Sequence, residues 1–309
     1  MLGRIRGKDK RMETFDPMRD EAFLESVFGA ASWRDHLRRI PDPTAPPVLD
    51  RKGASSPGYK ARYQSDKHEP LLTLYVAYAL FRDERRQVEH LGALLTAAGL
   101  ENPGPLGSVK RIRLEYEVST PKAYDERLRE SILRHPIGYT RERAVNHRRS
   151  LEGPTHLDLY IETDHRVVFF EAKFLSDISY LTDYAIARNQ LARVIDVSLG
   201  NTRSSRAGNV VLVTPARFKA KGPDAWSRLY AYKYRDYKTD PRTLMKDLPH
   251  RLGEEEDVKQ AVENLGWVSW EDLAEIARRT QAKDAFWAAT AWETFERFLD
   301  HRGLGRAVA

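Results

Sequence analysis

The chain of 309 residues contains no cysteine, which excludes disulfide scaffolds, thiolate metal sites and cysteine nucleophiles. It also lacks any long apolar run. The longest, residues 71–81 (LLTLYVAYALF), is too short for a bilayer, which takes about 20 residues of helix, and is expected to be a core helix. The start, MLGRIRGKDKR, is basic but is followed by no apolar stretch, so no export signal, no membrane partner and a cytoplasmic location are expected. There is no glycine-rich phosphate loop, no Gly-x-Ser-x-Gly elbow and no internal repeat; P-loop chemistry, serine hydrolases and solenoids drop out. Charge is plentiful. Lys and Arg number 51 against 45 Asp and Glu, a net +6, which favours a polyanionic partner.

The most informative stretch is residues 155–174, THLDLYIETDHRVVFFEAKF. Two runs rich in β-branched and aromatic residues flank a short polar break, the pattern of a β-hairpin. Centring the turn between Asp164 and His165 sets Asp158 opposite Glu171 and His156 opposite Lys173. Two facing carboxylates with Cβ atoms roughly 5 Å apart repel unless a positive charge lies between them. Glu171 and Lys173 share one face of the second strand, and Ala172 leaves its carbonyl nearby. The apolar flanks of that strand mark it as central and covered on both sides, where charges are rare. Oxygen ligands from Asp158, Glu171 and the Ala172 carbonyl suit Mg²⁺ or Mn²⁺.

Asp158, followed a dozen or so residues later by Glu171-Ala172-Lys173 at the end of a buried strand, resembles the signature of the PD-(D/E)xK nuclease superfamily. Leu157 stands where the proline of the family name would be. The resemblance covers roughly residues 66–215 and implies an α/β (α+β) fold: a restriction-endonuclease-like αβββαβ core with a mixed central sheet, here carrying helical N-terminal and C-terminal additions. It implies a Mg²⁺-dependent (or Mn²⁺-dependent) nuclease acting on phosphodiester bonds, most readily in DNA, of a kind that often serves microbial defence or restriction. Asp158, Glu171 and Lys173 are then the catalytic residues, with Asp158 and Glu171 as metal ligands. The family often adds an acid from the helix before the strands, and Glu69 is the candidate, with Glu89 as fallback. Glu69 also has a structural reason to be present, since residues 66–69 read as a capping box followed by Pro70 in the first turn. The family often carries a Gln or a basic residue on the helix after the hairpin, which nominates Gln190 as catalytic and Arg193 as nucleic-acid-binding.

The rest of the chain supplies context. Residues 20–39 form one or two amphipathic helices, and residues 41–58 read as a Pro- and Gly/Ser-containing linker. Residues 83–98 are a helix with Val88, Leu91, Leu94 and Leu95 inward. Residues 110–118 alternate in period 2 and form the first strand of the sheet, and a helix is expected near 123–133. Arg141, Arg143, His147, Arg148 and Arg149 precede the hairpin and either line the mouth of the site as phosphate contacts or form a solvated helix face. A helix over 184–199 and a buried strand over 209–214 follow. Residues 217–238 interleave basic residues with Tyr230, Tyr232, Tyr234 and Tyr237, the composition of a base-stacking platform or of an aromatic element packed on the core. From 240 onward only helices are expected, over 254–265, 270–280 and 282–299, with Trp267, Trp270, Trp287 and Trp292 as anchors. These helices are also a candidate surface for a homo-oligomer or protein partner. The domain reading is therefore 1–58 (helical extension and linker), 59–238 (nuclease-like core) and 239–309 (C-terminal helical region). Two other function classes remain open: a nucleic-acid-binding or assembly module on the same fold without catalysis, and a hydrolase of smaller phosphate esters.

Overall fold

Continuous apolar runs such as 167–170 (VVFF) and 210–213 (VVLV) need cover on both faces, and in the computed structural model helices supply it. The structure describes residues 17, 20–39, 69–100, 103–134, 145, 150–174, 176–179, 188–202, 206–221 and 227–281. Five strands form one sheet in chain order: β1 (Val109–Val118), β2 (Thr155–Thr163), β3 (Arg166–Ala172), β4 (Ala207–Thr214) and β5 (Leu265–Ser269). The first three run antiparallel, β4 is parallel to β3, and β5 is parallel to β4. The sheet is thus mixed, and the protein is α/β, as expected.

Eleven α-helices accompany the sheet among the described residues. Before β1 come α1 (Glu21–Phe28), α2 (Trp33–Arg39), α3 (Glu69–Phe81) and α4 (Gln87–Ala97). The helix α5 (Lys122–Arg134) joins β1 to β2, and α6 (Gln190–Asn201) carries the chain from β3 to β4. Then follow α7 (Ala216–Lys219), α8 (Leu229–Thr239), α9 (Pro241–Asp247), α10 (Glu255–Glu263) and α11 (Trp270–Gln281). One face of the sheet packs Leu159, Ile161, Val168, Phe170 and Val211 against Leu74, Leu91, Leu94 and Trp270. The other packs Val167, Phe169, Val210 and Leu212 against Leu191, Ile195, Tyr230 and Val258. The result is three layers with the sheet in the middle. Among the described residues no helix is long and apolar enough to cross a membrane.

The hairpin has the expected register. Leu159 pairs with Phe170, Tyr160 with Phe169, Ile161 with Val168 and Glu162 with Val167, and continuing the same pairing sets Asp158 opposite Glu171. On its other side β2 pairs Leu159 with Leu114 and Leu157 with Tyr116, which brackets Asp158 opposite Glu115. Here the simple alternation fails. Leu114 and Leu159 belong to the core beneath α3 and α4, whereas Tyr116 and Leu157 pack into the opposite one. The inward parity of both strands reverses between these pairs, where Glu115 holds a φ of 49°, a left-handed conformation costly for any residue but glycine.

Three expectations need correction. Residues 83–98 are not one helix: a 3₁₀ turn (Glu84–Arg86), capped by Asp83, precedes α4, and this phase puts Val88 outside at 40% exposure and buries His90. The helix expected from 184 starts only at Gln190, because the Asn189 side chain accepts from the Ala192 amide and caps it there; residues 184–187 lie outside the described set. The segment beyond 240 is not wholly helical. Val258, Ala261, Val262 and Leu265 continue one helical stripe in the sequence, yet the helix ends at Glu263 and Leu265 begins β5. The fifth strand is held against the end of α4, where the Trp267 amide donates to the Ala98 carbonyl at 2.9 Å. The linker, the basic residues Arg141, Arg143, His147, Arg148 and Arg149, and the helix expected at 282–299, with Trp287 and Trp292, also lie outside the described residues.

Candidate active site

The carboxyl end of β3 brings together four of the residues nominated from the sequence. Glu171 has 0% exposure, and Lys173 and Glu69 have 6% each. The Lys173 ammonium lies 2.5 Å from Glu171 Oε1 and 3.7 Å from Glu69 Oε2, and it donates to the Ala172 carbonyl at 3.0 Å. Asp158 is half-buried as a residue, and its Oδ2 accepts the Ala172 amide at 2.6 Å. The side chain thus takes the hydrogen bond that the ladder would otherwise offer to a backbone carbonyl, just beyond the last backbone pair.

Each group has a local reason to be where it is. Glu69 opens α3, and its Oε1 accepts the Phe174 amide at 2.7 Å and the Ser176 hydroxyl. Lys173 is fixed through its backbone: its amide donates to the Val213 carbonyl at 2.8 Å, and its carbonyl accepts the Trp270 indole Nε1 at 2.9 Å. Just beyond, the Asp177 carboxylate accepts the Leu229 and Tyr230 amides that open α8, at 2.6 and 3.2 Å. The short stretch after β3 is therefore tied to α3, α8 and α11 at once. Ser176 and Asp177 were not singled out in the sequence, whereas Trp270 was, as a packing anchor rather than as a partner of Lys173.

Three carboxylates against one ammonium leave a charge of −2 when all are ionised (−3 + 1), in a place where unpaired charge is costly. The acids respond as desolvated carboxylates do. Burial pushes Glu171 up to about 8, with Lys173 opposing the rise and Asp158 adding to it. Burial likewise pushes Glu69 up to about 7, and it raises Asp158 against the pull of Lys173 and the Ala172 amide. Burial works against the Lys173 ammonium, but Glu171, Asp158 and Glu69 outweigh it and hold the amine protonated well above its ordinary value. Lys173 meets Glu171 at Oε1, and among the described residues Oε2 receives no hydrogen bond.

A hard divalent cation suits this donor set: oxygen ligands, excess negative charge and a buried carboxylate short of hydrogen-bond donors. Among the described residues, however, no three His, Cys, Asp or Glu side chains converge as a ready ligand set, because the acids are drawn around the Lys173 ammonium instead. Glu89, the fallback acid, is exposed on α4.

Gln190 and Arg193 are spent on structure. The Gln190 side-chain oxygen accepts the Ser179 backbone amide at 3.3 Å, and the Gln190 backbone amide donates to the Ser179 carbonyl at 2.8 Å. Arg193 donates to the carbonyls of Gly153 and Pro154 and lies 3.4 Å from Glu152, fastening the entry to β2. Arg148 and Arg149 lie outside the described residues. Of the tyrosines weighed for stacking, Tyr230 and Tyr237 are fully buried and Tyr234 packs on the core, while Tyr232 is 43% exposed. The segment is mainly a packed aromatic element. Comparison with models of protein families, with curated proteins and with solved structures gave no match, so the chemistry of the cluster is argued from its own geometry.

Proposed function

We propose that the protein is a metal-dependent nuclease that hydrolyses phosphodiester bonds, in DNA first of all, on a restriction-endonuclease-like core. The observation that carries this reading is Glu171: a fully buried carboxylate near Asp158, with Oε1 2.5 Å from the Lys173 ammonium and no hydrogen-bond donor for Oε2 among the described residues. The strand order supports it, since a helix, three antiparallel strands with α5 inserted between the first two, a helix and a strand parallel to the third follow in sequence. Asp158 and Glu171 would hold Mg²⁺ or Mn²⁺, with Glu69 as a third acid beside Lys173. A cation bound there polarises a phosphate and lowers the pKa of an attacking water. Lys173, kept protonated by its carboxylates, is unsuited to take a proton in this arrangement; its part is to donate to the phosphate and stabilise the negative charge that develops on it. A role in microbial defence is proposed on the resemblance alone.

One observation favours a second reading, a nucleic-acid-binding module without catalysis: Glu69 and Glu171 are already drawn to the Lys173 ammonium without a cation. One assay separates the two. Plasmid, linear duplex, single strands and RNA are incubated with the protein in Mg²⁺, Mn²⁺ or EDTA. The nuclease reading expects cation-dependent cleavage that falls by about 100-fold or more in Lys173→Ala while binding persists. Retained binding with no cleavage of any substrate selects the second reading.

A further inference from the structure

The acids gather at the carboxyl end of β3, and further back along the sheet a different set of groups surrounds an open space. Arg111 and Tyr116 of β1, Tyr160 and Glu162 of β2, Phe169 of β3 and Arg206, just before β4, line a cavity of about 430 Å³. That volume lies in the range of about 300–1,000 Å³ that holds small-molecule ligands. The strand register explains the grouping. Arg111 pairs with Glu162, and antiparallel partners present their side chains on one face; Tyr160, two residues before Glu162, shares that face. Tyr116 reaches it because the parity of β1 reverses at Glu115. The end of α6, which covers β2, β3 and β4, forms one wall.

Rings form the floor. The centroids of Tyr116 and Tyr160 lie 4.6 Å apart with the rings tilted by 33°, and Tyr160 meets Phe169 edge-on at 5.6 Å. Both tyrosines are half-buried, which leaves aromatic surface inside the cavity. The charged groups beside them are unevenly paired. Glu162 Oε1 accepts from Arg206 Nη1, and Oε2 accepts the Tyr160 hydroxyl at 3.3 Å. Burial and the Glu162 charge push Tyr160 up to about 12, so its hydroxyl keeps the proton that it donates. Arg111 Nε lies 3.8 Å from Glu162 Oε2, beyond hydrogen-bond reach. One carboxylate thus serves two guanidinium groups, and Arg111, with 48% side-chain exposure, keeps its guanidinium N–H groups without an acceptor among the described residues. Glu117 also lines the cavity, but it pairs with His156 at 3.7 Å and stands about 20 Å from Arg111 along the strand, too far to neutralise it.

A spare guanidinium next to a stacked aromatic floor suits a planar ring that carries an anionic group, since the ring stacks and the planar fork of Arg matches phosphate oxygens. We propose that this cavity binds a nucleoside monophosphate, either free or as the 5′-phosphate end of a strand. The base stacks on Tyr116, Arg111 and Arg206 hold the phosphate, and Glu162 with the Tyr160 hydroxyl keeps Arg206 in place. The cavity is separate from the acids at Lys173, and the proposal does not depend on the nuclease reading.

The test is isothermal titration calorimetry of the full chain in EDTA with 5′-AMP, adenosine, inorganic phosphate and a 5′-phosphorylated tetranucleotide. Wild type is expected to bind 5′-AMP, and adenosine and phosphate each more weakly by about 10-fold or more. Arg111→Ala should weaken 5′-AMP by about 10-fold and leave adenosine as it was. Tyr116→Leu should weaken both by about 5-fold or more, and Tyr116→Phe, which keeps the ring, should weaken neither. A tetranucleotide that binds more tightly than 5′-AMP, and loses that affinity in Arg111→Ala, identifies a strand end as the ligand; one that binds no better identifies the free nucleotide. The inference is overturned if wild type binds none of the four, if phosphate alone binds as well as 5′-AMP, or if Arg111→Ala and Tyr116→Leu both bind 5′-AMP as wild type does. Should Tyr116→Leu lose its fold by circular dichroism, Arg111→Ala decides alone, since that side chain is exposed. Cleavage at the Lys173 site is read in a different assay, so either reading can fail without the other.

Discussion

Glu171 has no exposed surface, the Lys173 ammonium at Oε1 and, among the described residues, no hydrogen-bond donor at Oε2, so its charge depends on what stands beside it. Burial, opposed by Lys173 and helped by Asp158 and Glu69, pushes its pKa up from 4.5 to about 8. Between those values the folded state keeps a proton that the unfolded chain has released. Stability therefore falls as pH rises through the window and levels off above about 8. Lys173 adds no slope there, being protonated in both states. A divalent cation binding the ionised acids competes with that proton, so it stabilises more at high pH. The expected outcome is a melting temperature that, in EDTA, declines from about pH 5 to about pH 8, and a Mg²⁺-induced rise that is larger at the upper end. Glu171→Gln, which cannot ionise, should flatten its share of the decline and shrink the Mg²⁺ effect. Melting temperatures of the variant and wild type that run parallel across the window would show that Glu171 does not titrate there.

Elements that were legible in the sequence are those fixed by local pattern. The hairpin was readable because a short turn centred between Asp164 and His165 fixes the register, and the pairs from Leu159–Phe170 to Glu162–Val167 follow it. The fifth strand was not readable. Leu265 completes a helical stripe with Val258, Ala261 and Val262, and the force that makes residues 265–269 a strand comes from pairing with β4, far away in the chain. Gly266 is where that docking is tightest: a Cβ there would meet the Ala98 Cβ at 2.8 Å and the Ala98 carbonyl at 3.0 Å. Gly266→Ala must then push β5 away from α4 and strain the bond from the Trp267 amide to Ala98. A loss of about 1–3 kcal/mol is expected, as for other overpacked sites, read as a lower urea midpoint with unchanged m-value. A glycine tolerated as alanine without loss would mean that β5 docks less closely.

Across the whole molecule, charged residues fall into two populations that sequence alone does not separate. The site acids were found because their pattern was known in advance; the chain carries a second buried ionic cluster with no such pattern. Arg188, with 1% exposure, lies 2.8 Å from Asp196 Oδ2, donates to Glu152 at 3.2 Å and covers the Tyr124 ring at 3.6 Å. Asp196 also accepts from Arg251 at 2.5 Å and pairs with His250 at 2.9 Å. These contacts join α5, the entry to β2, α6 and the turn before α10, and in sequence their members are spread from 124 to 251. Burial alone would raise the Asp196 carboxyl, but the His250 hydrogen bond and the Arg188 and Arg251 charges hold it down to about 2. Removing one partner of such a buried group costs about 3–5 kcal/mol, because the guanidinium groups stay behind without their counter-charge. Asp196→Ala is therefore expected to lose that much in equilibrium unfolding at neutral pH. Glu275→Ala, which breaks exposed pairs with Arg278 and Arg279, should lose less than about 1 kcal/mol. The contrast decides the point: equal losses in the two variants would mean that the Arg188 cluster is solvated.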